Sequence, residues 1–186
     1  MSELSLFIDA DSVPVSIRAV ILRCIVRRGF DALFVADRPL RDVLQAKEEH
    51  TGLLRKAAKE GGLVDQDDLK AIKSGIEMVT VPTSADSADD YLVEHLVLPA
   101  LAITHDVPLA ARLVEKGAVV LDDRGGVFTR ENIAPRLSER NINKQLREWG
   151  MENEKNMRMD NRQLKAFADA LDRTLHGLTK NNRSPV

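Results

Sequence analysis

Leu6-Phe7-Ile8-Asp9-Ala10-Asp11-Ser12-Val13-Pro14 is the stretch that decides the fold. An apolar run suited to a buried strand passes straight into a carboxylate, and Pro14 follows where the first turn of a helix tolerates proline. Either Asp11 or Ser12 suits the cap of that helix. The apolar spacing carries the helix to about Arg28, and Gly29 stops it. Asp31-Ala32-Leu33-Phe34-Val35-Ala36 then predicts a second strand. Strand, helix and strand in that order are the usual start of a parallel sheet with helices on its faces.

Outward from this unit the pattern recurs. Glu77–Val81 predicts a third strand, ended by Pro82, and a helix from about Asp86 to His95 follows. Leu101–Thr104 predicts a fourth strand and Val107–Lys116 a helix with Pro108 near its start. Gly117 ends that helix before a fifth strand over Ala118–Leu121, and 122–126 reads as a turn. Two basic amphipathic helices are predicted near 130–149 and 160–176, the second opened by an Asp160/Gln163 capping box. Residues 38–75 break the rhythm. They are polar, with interruptions at Gly52 and Gly61-Gly62, and predict an inserted helical arm or lid with a helix around Leu44–Ala58 and a short one at Asp67–Ile72. The whole reads as one α/β domain over 1–178, with a mainly parallel central sheet and a flexible tail over 179–186.

No apolar run approaches the roughly 20 residues that span a bilayer, and Met1-Ser2-Glu3-Leu4-Ser5 lacks the basic start of a secretory signal. The expectation is a cytoplasmic protein without a membrane partner. The single Cys24 sits in an apolar helical pattern, which predicts a buried structural thiol rather than a nucleophile or metal ligand. Net charge is −2, so the chain as a whole is no general polyanion binder. Its parts differ, however: residues 1–123 hold 14 basic against 21 acidic residues, and 124–186 hold 13 against 8. An acidic site beside a basic region suits a metal centre next to a phosphate-binding surface.

The acidic residues fall where strands end. Asp9 follows the first strand directly, and Asp11 lies beside it. Asp86 and Asp89 are three apart at the start of a helix and share a face, while Thr104, His105 and Asp106 follow the fourth strand. Carboxyl ends of parallel strands line the ligand crevice of an open α/β sheet. Carboxylates gathered there repel one another unless a cation neutralises them, and hard oxygen donors suit Mg²⁺ or Mn²⁺. Each aspartate also has a plainer role, as a helix cap or as a match to the helix dipole; their joint placement at one sheet edge favours a site. Thr104 suits the orientation of a carboxylate or a water, and His105 reads as an exposed loop histidine.

The chain resembles the bacterial YaiI/YqxD family, a group usually placed among PIN-like domains. The resemblance lies in Ile8-Asp9-Ala10-Asp11-Ser12-Val13-Pro14-Val15, Ser84-Ala85-Asp86-Ser87-Ala88-Asp89 and Ala102-Ile103-Thr104-His105-Asp106-Val107-Pro108-Leu109-Ala110. Lys116–Asp122, Asn132–Arg140 and Phe167–Arg173 extend it over nearly the whole length. It implies a three-layer α/β/α PIN-like fold and a nuclease site in which Asp9, Asp86, Asp89 and Asp106, with Asp11 beside them, hold one or two Mg²⁺ or Mn²⁺ ions. RNA is the favoured substrate, with Arg124, Arg140 or Arg147 holding its phosphates. Three departures from the family are expected: an insertion over roughly 40–75, Ser84 in place of a glycine, and Glu152–Met157 in place of a glycine-rich stretch.

Two other readings compete. Asp9-Ala10-Asp11-Ser12-Val13 also fits the start of a haloacid-dehalogenase-like phosphatase, with Asp9 as nucleophile and Asp11 as general acid. A non-catalytic module binding RNA or protein would use the arm and the basic C-terminal helices instead. Oligomeric state is not read from the sequence. Lone Trp149 and Tyr91 offer little surface for stacking bases, against base-specific recognition of single strands.

Overall fold

A computed structural model of the protein describes residues 4–63, 65–83, 87–148 and 160–181, without the side chains of 147 and 181. In chain order these form β1 (Ser5–Asp9), α1 (Val15–Arg28), β2 (Asp31–Ala36), α2 (Arg41–Glu60), α3 (Gln66–Ala71), β3 (Ile76–Thr80) and α4 (Ser87–Glu94). Then come β4 (Ala100–Ile103), α5 (Val107–Glu115), β5 (Val119–Leu121), β6 (Val127–Phe128), α6 (Arg130–Glu148) and α7 (Asn161–Asn181). The sheet order is β3-β2-β1-β4-β5-β6, parallel except for the β5–β6 pair.

The strands are apolar on both faces because both faces are covered. Leu6, Ile8, Ala32, Phe34 and Ile76 pack with Ile17 and Ile21 of α1 and Phe167, Leu171 and Leu175 of α7. Phe7, Val35, Ala102 and Val120 pack on the other face with Leu92 of α4 and Leu109 and Leu113 of α5. Alternation along β1 therefore fills two separate cores, and the architecture is a three-layer α/β/α sandwich as expected. With β1 central, the chain winds out through β2 and β3 on one side and β4 and β5 on the other. The direction of winding reverses between β1 and β4, the place where such sheets open a crevice at their carboxyl ends.

Local signals are met with some corrections. Gly29 takes a left-handed φ of 71° at the end of α1 and donates its N–H to the Ile25 carbonyl. The capping box of α7 is reciprocal: Gln163 N–H donates to Asp160 Oδ1 at 2.8 Å, and Asp160 N–H to Gln163 Oε1 at 2.9 Å. That helix continues to Asn181, past the expected start of the tail. Neither Asp11 nor Ser12 caps α1; the position belongs to Pro14, with no side-chain bond. Residues 38–75 are helical as expected, and α2 is also the crossover from β2 to β3. Val43 and His50 anchor it in the body, His50 Nδ1 lying 2.9 Å from Ser74 Oγ. Two-residue β6 was not expected; it is too short for periodicity to register. Among the described residues, no helix is long and apolar enough to cross a membrane.

Candidate functional site

The crevice is built by the loops leaving β1, β4 and β5. Asp9, the last residue of β1, is 5% exposed, and its Oδ2 accepts a 2.7 Å bond from the Thr104 hydroxyl just beyond β4. Thr104 Oγ1 in turn accepts the Asp106 N–H at 2.9 Å. Ser12 Oγ accepts the His105 N–H at 3.1 Å and donates to the Asp9 carbonyl at 3.2 Å. One hydroxyl from each loop thus ties β1–α1 to β4–α5. Arg18, 8% exposed on α1, braces the same loop by donating to the Ala10 and Val13 carbonyls at 3.0 and 2.8 Å and to Asp42 at 2.9 Å.

Burial pushes the Asp9 carboxyl above its ordinary range; the hydrogen bonds from Thr104 and Ser12 pull it back, and the neighbouring Asp106 charge adds a smaller upward push. Asp106 uses Oδ1 to cap α5 through the Leu109 N–H at 3.1 Å, while its Oδ2 lies 3.5 Å from Arg140 on α6. Capping therefore explains half of the Asp106 carboxylate and leaves the other oxygen on the crevice.

The remaining expected residues distribute unevenly. Asp11 turns toward the end of β2, accepting the Asp37 N–H at 2.6 Å with Arg38 at 3.5 Å. Thr104, expected beside substrate, is fully buried with its hydroxyl committed to Asp9, so it orients a carboxylate and not a water. Asp89 lies in the first turn of α4, and its neighbour Asp90 pairs with Arg112 at 2.6 Å. Arg124 is exposed in the loop after β5. Asp86, with Ser84 and the 152–157 stretch, lies outside the described residues, as does the side chain of Arg147. Among the described residues no three carboxylates, imidazoles or thiols stand close enough together to hold a metal ion.

Besides Arg18, three participants escaped the sequence reading: Asp122, Asp123 and Arg136. Asp122 and Asp123 follow β5 as Asp9 follows β1, and each is 7% exposed. The Asp122 carboxylate collects the Arg124 and Gly126 N–H groups at 2.9 and 2.6 Å, closing the turn, with Arg136 at 3.9 Å. Asp123 Oδ1 lies 2.8 Å from His105 Nδ1, so the loop histidine is partnered. That hydrogen bond, ahead of an opposing desolvation, raises the His105 pKa. Arg136 also sits over the Phe128 ring, 5.6 Å from its centroid. The signal available in the sequence was the acidic pair immediately after an apolar run.

The model of an uncharacterised bacterial family, YaiI/YqxD, matches residues 42–177. A UPF0178 protein of Pseudomonas putida is 35% identical over 174 residues, covering 94% of this chain and 97% of its own length. One of Pseudomonas fluorescens is 33% identical with the same coverage, and one of Psychromonas ingrahamii is 33% identical over 177 residues, 95% of this chain and 99% of its own. The chain belongs to the YaiI/YqxD family. The family match begins at residue 42 and so spans the polar segment that forms α2 and α3.

Proposed function

We propose that this member of the YaiI/YqxD family is a divalent-cation-dependent phosphodiesterase of PIN-like type, acting on RNA at the crevice between β1 and β4. The observation that carries the reading is the buried Asp9 carboxylate, held by a neutral hydroxyl and raised in pKa by burial, with the Asp106 carboxylate close enough to repel it. A sheet interior gains nothing from such a group, whereas a cation binding across the crevice would relieve both effects.

The donors fit in kind: Asp9 and Asp106 offer hard carboxylate oxygens at the switch point, and Asp89 lies in the first turn of α4, the helix expected to complete the set. A bound Mg²⁺ or Mn²⁺ would supply water activation and neutralise charge on the phosphate. The chain does the rest. Thr104 and Ser12 hold the Asp9 loop against the Asp106 loop, and Arg18 fixes the loop's backbone. Arg140, already at the crevice edge, is placed to trade Asp106 for a phosphate oxygen once a cation occupies that carboxylate.

Calorimetry with Mn²⁺ tests this on the wild type and on Asp9→Asn/Asp106→Asn, followed by incubation of each with an RNA oligonucleotide. Micromolar binding and RNA cleavage, both lost in the double variant, are expected. A folded wild type that binds no Mn²⁺ overturns the reading.

A further inference from the structure

A second concavity lies on the same face of the sheet as Asp9 but at the opposite, amino-terminal edge. Helix α4 is only 8 residues long, so it covers the upper part of β1 and β2 and leaves their lower part open. The result is a cavity of about 450 Å³ lined by Phe7 and Leu33, by Asp31 and Glu77, and by Tyr91 of α4 with His95 just beyond the helix end. Pockets for small ligands fall in that size range.

Two features set this cavity apart from an incidental gap. The Tyr91 and His95 rings are stacked, 3.8 Å between centroids and 13° from parallel, with His95 Nδ1 fixed 2.9 Å from the Tyr91 carbonyl. Stacked face to face, the pair leaves the outer face of a ring for a planar ligand. Asp31, half-buried beside it, has no hydrogen-bond or ion-pair partner for its carboxylate among the described residues. Gly75 leaves it room, because Asp31 Oδ1 occupies the space where a side chain on Gly75 would begin. An unpartnered carboxylate beside an aromatic ring face matches one chemistry in particular. A guanidinium is flat, stacks on aromatic faces and offers paired N–H donors to a carboxylate. Glu77 adds a second negative charge to the lining and Lys73 a positive one, so the three charges sum to −1, the match for a singly charged cation.

We propose that this cavity binds a small guanidinium compound, its plane on an outer ring face of the Tyr91–His95 stack and its N–H edge on Asp31. The site is separate from the crevice, and its fate does not depend on the phosphodiesterase reading.

Titration of the full chain with methylguanidinium at constant ionic strength, followed by calorimetry, tests it, with methylammonium as the non-planar comparison of equal charge. Saturable binding is expected, weakened tenfold or more in Asp31→Asn and unchanged in Asp9→Asn/Asp106→Asn. Gly75→Ala retains the carboxylate but forces it aside, and a loss similar to that of Asp31→Asn is expected. The proposal is overturned by any of three results: no saturable binding to the wild type, equal affinity in Asp31→Asn, or a loss confined to the crevice variant. Methylammonium binding as tightly as methylguanidinium also overturns it, since charge alone would then suffice.

Discussion

The two edges of the same sheet face treat their carboxylates in opposite ways. At the carboxyl edge Asp9, Asp106, Asp122 and Asp123 each meet hydroxyls, N–H groups or side chains supplied by neighbouring loops. At the amino edge Asp31 stands in position with no such partner among the described residues. Cross-linked charges are suited to chemistry that needs fixed geometry before substrate arrives. A placed but unpartnered charge is suited to recognition, because the ligand brings the missing donors. The difference predicts that substitutions at the carboxyl edge disturb stability and those at the amino edge do not.

The largest effect is expected at Arg18. Its three hydrogen bonds reach two loop carbonyls and Asp42 from a nearly inaccessible position. Arg18→Met should cost about 3 kcal/mol, as breaking buried charged pairs does, read by urea unfolding. A cost under about 0.5 kcal/mol, the level of an ordinary surface change, would remove the brace from the account. Thr104→Val comes next. It keeps the shape but withdraws the donor from Asp9 and the acceptor from the Asp106 N–H. About 2 kcal/mol is expected, the usual cost of leaving buried polar groups unpaired. The Asp9 titration, followed by carboxyl NMR, should move further upward.

The backbone of this architecture was legible because its signals are local. Five apolar runs, Gly29 and Gly117 as stops and the Asp160/Gln163 box each specify an element without reference to the rest of the chain. Asp9 and Asp106 were legible for the same reason, each lying just past an apolar run. Roles that depend on distant partners were not. Asp11 looked like a cap and instead receives an N–H from the end of β2; His105, exposed in its loop as expected, also meets Asp123, 18 positions away. Arg18 gave no signal at all, since an arginine in an amphipathic helix reads as surface until α2 is packed against it. Polar composition over 38–75 does not mean distance from the body. In α2 two buried side chains, Val43 and His50, are enough to seat a helix that is otherwise solvated.

Smaller effects should appear in pH dependence, and both run in one direction. A raised pKa means that the folded protein holds its proton more tightly than the unfolded chain, so stability falls as pH rises through the interval between the two values. For Asp9 that interval begins near the ordinary value of about 3.9 and extends upward; for His105 it begins near about 6.5. Asp9→Asn should therefore flatten the acid part of the stability profile and leave the protein more stable than wild type at neutral pH. His105→Gln should flatten only the part above the ordinary histidine value, and weakly, because the ring is 56% exposed and its pairing is screened. A wild-type profile that rises between pH 6 and 8, with His105→Gln unchanged from it, would contradict the His105–Asp123 assignment.

The smallest effect is expected at Asp31, and its smallness is what makes it useful. Asn has nearly the same shape, and no hydrogen bond or ion pair among the described residues is lost when the charge is removed. Asp31→Asn should leave unfolding within about 0.5 kcal/mol of wild type, the range of surface changes away from special features. Asp9→Asn changes the same functional group on the same face and should not be neutral, because its burial already disfavours the charge. Measured side by side by urea unfolding at neutral pH, the pair separates a carboxylate placed against the fold's own preference from one the fold merely positions. Substantial destabilisation in Asp31→Asn would mean that the chain itself depends on that charge, and the contrast between the two edges would collapse.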